Sequence, residues 1–217
     1  MTRIGVLLSG CGVYDGSEIH EAVITLLALD RANSEAICMA PDIDQFDVVN
    51  HLTGKPSSEK RNVLIESARI ARGNIKDIKT VTADDIDGLI IPGGFGAAKN
   101  LSNFAVKGTD ARVNDQTGRL LNEMIAAGKP VGAICIAPAT VARAIAAVQP
   151  EVTIGNDTKT AAAIEAMGAV HKVCTVDMIH VDEAHKIVTT PAYMLGPGIK
   201  EVAAGIEKLV AKVLELA

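Results

Sequence analysis

The stretch Val131-Gly132-Ala133-Ile134-Cys135-Ile136-Ala137-Pro138 decides the fold. Its first four residues are apolar without alternation, as in a strand buried on both faces. Pro138 suits the first turn of a helix, so the chain passes from strand to helix with a cysteine at the junction. Ala133 and Ala137 lie two residues before and two after Cys135. A nucleophile elbow needs such small neighbours, because its sharp turn leaves no room for large ones. The helix N-terminus is expected to stabilise a thiolate and lower the Cys135 pKa. The competing reading is an inert core cysteine; the strand–small–Cys–small–helix setting favours the nucleophile.

On either side of this turn, strands and helices alternate along the whole chain. Ile4–Leu8, Ala36–Ala40 and Leu89-Ile90-Ile91 are short apolar runs that read as strands. Ile19, Ala22, Val23, Leu26 and Leu27 recur at helical spacing. Asp42–Lys55 lacks periodicity and reads as a long loop, and a helix capped by Ser57 or Ser58 is expected to run to Arg72 and stop at Gly73. Leu120 to Ile125 mark another helix, and one more is expected from about Ala137. Val152–Ile154 reads as a strand, followed by an alanine-rich helix after Thr158. Val173–Val188 reads as strands turning at Asp182–His185. Ile199, Val202, Ile206, Leu209, Val210 and Val213 give a last helix its apolar face. Short apolar strands between helices predict an α/β three-layer sandwich with a mostly parallel sheet, over residues 1–217 as one domain. Sites in such folds lie at the carboxyl ends of the strands.

Composition removes several function classes. A net charge of −5 and 2% aromatic residues argue against a nucleic-acid partner. No apolar run reaches the roughly 18 residues of a membrane span. The strand-like Ile4-Gly5-Val6-Leu7-Leu8 follows Met1 almost at once, so no targeting peptide is expected. Cys11, Cys38, Cys135 and Cys174 form no CxxC pair, so neither a metal site nor a thioredoxin motif is expected and free thiols in a reducing compartment are.

Two further segments belong with Cys135. Ile91-Pro92-Gly93-Gly94-Phe95-Gly96 ends a strand in paired glycines, whose amides could form an oxyanion site or simply a turn. Glu18 follows Gly10-Cys11-Gly12-Val13-Tyr14-Asp15-Gly16-Ser17. It reads equally as an acid/base group or as part of a capping box begun by Asp15. Gly10, Gly12 and Gly16 approach a dinucleotide fingerprint with Asp42, but the spacing is off by one. Asp182-Glu183-Ala184-His185 spells a helicase-like string without any phosphate loop to accompany it.

Taken together, Ser9 through Glu18, Asn50-His51-Leu52-Thr53-Gly54, Ile91 through Leu101, Cys135-Ile136-Ala137-Pro138 and Ile187 through Met194 resemble the ElbB family. That family is a branch of the class I glutamine amidotransferase-like superfamily, which also holds the PfpI-type proteins. The resemblance implies a flavodoxin-like fold, a homodimer and a small-molecule carbonyl substrate. It implies Cys135 as the reactive cysteine, Glu18 as the carboxylic acid beside it, and Gly94 and Ile136 as the oxyanion amides, with Gly93 next to them. The activity implied is glyoxalase-like, glyoxal to glycolate without glutathione, metal or other cofactor, as the visible side of a protein deglycase; a link to isoprenoid metabolism attaches to the name. The alternative is a non-catalytic thiol redox sensor or binding protein. Ile136 stands where PfpI-type relatives often carry histidine. Thr190-Pro191-Ala192 stands where amidating glutaminases carry His-Pro-Glu, which leaves His51, His171 and His180 as spare candidates. The expected compartment is the cytoplasm.

Overall fold

The computed structural model describes residues 1–217. Its central sheet has seven strands. In chain order these are β1 (Arg3–Leu7), β2 (Glu35–Ala40), β5 (Lys76–Asp77), β6 (Gly88–Ile91), β7 (Val131–Ile134), β10 (His180–Asp182) and β11 (Ile187–Thr190). Four short strands lie outside it: β3 (Val48–Asn50) pairs with β4 (Lys55–Ser57), and β8 (Glu151–Val152) with β9 (Val170–His171). The spatial order of the large sheet is β10-β11-β7-β6-β1-β2-β5. Every pairing in it is parallel except that of the edge strand β10 with β11.

Eight helices cover the sheet: α1 (Ile19–Arg31), α2 (Val63–Ile70), α3 (Phe95–Lys99), α4 (Phe104–Lys107), α5 (Asp115–Ala126), α6 (Ala137–Ala144), α7 (Thr158–Ala166) and α8 (Ile199–Leu216). The alternation of side chains along each strand builds two separate cores. Leu89, Ile91, Val131 and Ala133 face one side, against Leu120, Met124, Val141 and Ile164 of α5, α6 and α7. Ile4, Val6, Ile90 and Ile134 face the other, against Ala22 and Leu29 of α1, Val63 of α2 and Ile206, Leu209 and Val213 of α8. The strand pattern predicts the double cover and the resemblance the flavodoxin-like sandwich; both are found, and β7, whose last residue precedes Cys135, lies inside the sheet.

Three segments differ from expectation. The Asp42–Lys55 loop contributes β3 and the start of a hairpin, because Val48 and Val49 are buried and Gly54 (φ 68°) can make the turn. The helix expected from Ser57 begins at Val63. Lys55–Ser57 is taken by β4, and the Asn62 side chain accepts from the Ile65 amide to cap the later start. Residues 173–179 form no strand ahead of β10. The turn expected at Asp182–His185 is present, with the buried Asp182 accepting from the amides of Ala184 and His185.

Candidate active site at the end of strand β7

The carboxyl ends of β1, β6, β7 and β11 converge on Cys135. Its amide donates to the Thr190 carbonyl at 3.0 Å, which ties the cysteine to β11. Its φ is 63°, a conformation that costs a non-glycine residue about 1–2 kcal/mol. Ala133 and Ala137 around it are fully buried, so the strained turn fits only because both are small. The expected elbow is therefore formed.

The amides of Gly94 and Ile136 both point at the sulfur and lower the thiol's pKa, and neither has a backbone carbonyl partner. Gly94 holds φ 92°, so it turns its amide inward as a side-chain-bearing residue would do only under strain. A Cβ on Gly93 would run into the Cys135 Cβ and Glu21 Oε2. The paired glycines thus let a second strand end approach the cysteine, and Gly93 is required as spacing.

The carboxyl that contacts the thiol is Glu21, three residues after the one expected. Glu21 is completely buried. Its Oε2 accepts from the Gly93 amide at 2.9 Å and its Oε1 from the Tyr193 amide at 3.3 Å, and its carboxyl lies beside Cys135 against Gly93. Burial, and next the charge of Glu18, push its pKa up to about 8 against the pull of those three partners. Glu18 instead caps α1, its Oε2 accepting from the Glu21 amide at 2.7 Å. The capping role was one of the two open readings, although Asp15 starts no box and accepts from the Val49 amide. Glu18 nevertheless lines the cavity over Cys135, so it faces the cavity while Glu21 faces the sulfur.

The expected low thiol pKa is not found. Burial raises the Cys135 pKa well above the ordinary value, and the neighbouring Glu21 carboxylate raises it further. The amides of Gly94 and Ile136 oppose this without overcoming it. The reason is burial: sulfur and carboxyl lie side by side in the interior, where two negative charges are disfavoured.

The three spare histidines lie elsewhere. His51 Nδ1 donates to the Val49 carbonyl at 3.0 Å while Nε2 accepts from the Tyr14 amide, a tautomer that pins the hairpin. His171 Nε2 accepts from the Ile154 amide, and His180 pairs with Glu151 at 3.1 Å. None of them lines the Cys135 cavity. The histidine near the site is His20, whose Nδ1 lies 2.7 Å from the Tyr193 hydroxyl and 4.0 Å from Glu18 Oε1. Thr190 and Ala192, in the position of the missing His-Pro-Glu, supply no base: Thr190 Oγ1 donates to the Met178 carbonyl.

With this geometry in place, comparison with known proteins is informative. No family model matches the chain. The human mitochondrial glutamine amidotransferase-like class 1 domain-containing protein 3 is 49% identical, over 99% of this chain and 83% of its own length. The chain belongs to the glutamine amidotransferase-like class 1 family. A second family member, the mitochondrial ES1 protein homolog of Rattus norvegicus, is 48% identical over 99% of this chain and 84% of its own length. The mitochondrial ES1 protein of Danio rerio is 34% identical over 89% and 77%. These names overturn the cytoplasmic placement expected from the sequence, since all three relatives are mitochondrial.

Among solved structures, an isoprenoid biosynthesis protein with amidotransferase-like domain from Ehrlichia chaffeensis matches with TM-score 0.94 and 38% identity, over 100% of this chain and 99% of that one. A DJ-1 superfamily protein from Salmonella typhimurium matches with TM-score 0.60 and 19% identity, over 99% of this chain and 91% of that one, a likeness of fold alone.

Proposed function

We propose that this family member is a cysteine-dependent, glutathione-independent glyoxalase-like enzyme of the ElbB branch, converting a 2-oxoaldehyde and water to a 2-hydroxyacid. The observation that carries the reading is the buried Glu21 carboxyl beside the Cys135 thiol, with the amides of Gly94 and Ile136 on the same sulfur. A base whose pKa lies near neutrality, against a thiol that ionises poorly alone, suits proton removal during attack rather than before it.

The steps balance without an oxidant. Sγ forms a bond to the aldehyde carbon of glyoxal as its proton passes to the Glu21 carboxylate, and the amides hold the developing oxyanion. The oxyanion takes that proton from Glu21, giving a hemithioacetal and restoring the carboxylate. Glu18, on the cavity wall, removes the carbon-bound proton and returns it to the neighbouring carbon, through an enediol to a thioester. Water then breaks the C–S bond, releasing glycolate and the thiol. The redox-sensing alternative gains nothing from a thiol whose pKa burial has raised. The description of the Ehrlichia neighbour as an isoprenoid biosynthesis protein bears on a pathway, not on this chemistry.

The test is nuclear magnetic resonance of glyoxal turnover in deuterated water by thiol-reduced protein. Glycolate carrying solvent deuterium, and absent with Cys135→Ser, is expected. Glycolate at the same rate from the serine variant would refute the reading.

A further inference from the structure

Glyoxal is far smaller than the cavity above Cys135. That cavity measures about 370 Å³, inside the range of pockets that enclose ligands many times its size. Its chemistry is also divided. The reactive end holds the Cys135 sulfur, the two amides and Glu18; the walls are mostly apolar, Val13, Phe95, Ala98, Phe104, Ala105 and Met194, with Thr160 and Tyr193 as the polar members. No lysine or arginine lines it. Lys99 lies 5.5 Å from the centre of the Phe95 ring, but its ammonium is held by Asp47 at 2.7 Å and by the Tyr14 carbonyl.

We infer that the substrate is a neutral 2-oxoaldehyde bearing a bulky apolar group, an aryl or branched alkyl substituent seated among Phe95, Phe104 and Met194. This rests on the glyoxalase-like reading and specifies its substrate class. Two arguments carry it. Apolar walls gain by excluding water only when an apolar group fills them, which glyoxal cannot do. A carboxylate or phosphate on the substrate would lose its hydration facing Glu18 with no lysine or arginine on the lining to replace it. The same argument disfavours free glutamine, whose carboxylate would be unpaired here.

For such a substrate the chemistry keeps its balance. Phenylglyoxal adds the thiol at its aldehyde carbon, the carbon-bound proton moves to the adjacent carbon, and water releases mandelate.

The experiment compares kcat/KM for glyoxal, phenylglyoxal and 4-carboxyphenylglyoxal, each corrected with the Cys135→Ser protein. Phenylglyoxal is expected to exceed both others at least tenfold, the range one well-placed apolar group gives. Ala105 sits exposed at the cavity mouth on α4, so Ala105→Trp tolerates the change and is expected to cut the phenylglyoxal-to-glyoxal ratio about tenfold. Glycolate formed as efficiently as mandelate, or a ratio unmoved by Ala105→Trp, overturns the substrate class and leaves the glyoxalase-like reading standing. Equal rates with the carboxylated analogue overturn the charge argument and the proposal with it. No 2-hydroxyacid from any of the three overturns both readings.

Discussion

The buried Glu21 carboxyl lies beside the Cys135 thiol, and the effect runs unequally: the carboxylate raises the cost of charging the thiol, while the thiol eases the charging of Glu21. A thiolate here must share its proton with the carboxyl, so the two groups titrate as a pair. Activity then needs the pair to have lost one proton. On the proposed reading, kcat/KM for a 2-oxoaldehyde rises with pH along a limb centred near the Glu21 value of about 8. Glu21→Gln removes that limb and lowers turnover on the order of 100-fold or more, the usual contribution of a positioned base. A pH–rate profile of the folded variant checks this.

The same pKa has a consequence for stability. An unfolded glutamate ionises near 4.5, so between that pH and about 8 the unfolded chain has lost a proton that Glu21 retains in the fold. Stability from this group is therefore fully present below pH 4.5 and lost as pH rises through 8. Denaturant titrations from pH 4 to 9 are expected to show the difference between Glu21→Gln and the parent shift in favour of the variant with rising pH across that window.

On the proposed reading Glu18 has two duties that can be separated. Glu18→Gln keeps an oxygen to accept from the Glu21 amide, so the cap and the fold persist, while proton transfer is lost; turnover falls on the order of 100-fold. Glu18→Ala loses the cap as well, and thermal or denaturant unfolding is expected to show a further loss of about 1 kcal/mol.

The strands and the elbow were legible because apolar runs such as Val131–Ile134 and the small residues 133 and 137 are local signals. Glu21 was not. The exposed residues Ile19, Val23 and Leu27 suggest an apolar face on α1, yet the buried face carries Glu21, Ala22, Thr25 and Leu29. A glutamate on an inward face is visible only once the helix is seated on the sheet. α4 was missed for a related reason: four residues, Phe104–Lys107, are too few to establish a period, although Phe104 and Ala105 shape the cavity. The raised Cys135 pKa was hidden because burial, not helix position, dominates it.

The displaced apolar stripe supports the proposed homodimer. Ile19, Val23 and Leu27 are 43%, 48% and 43% exposed and follow one another at one helical face. Seating them against a second copy would bury them. Val23→Glu is expected to leave the monomer fold intact and convert a dimer to a 22.6 kDa monomer, as light scattering at micromolar concentration reads.

The central claim is that Glu21, added to burial, holds the Cys135 thiol protonated. Titration of the ultraviolet thiolate absorbance, taken as the difference between each protein and its Cys135→Ser counterpart, measures it directly. In the parent the Cys135 thiolate is expected to appear only well above the ordinary cysteine pKa. In Glu21→Gln, where the repelling carboxylate is gone, it is expected to appear at clearly lower pH. The same titration midpoint in both proteins would contradict the account.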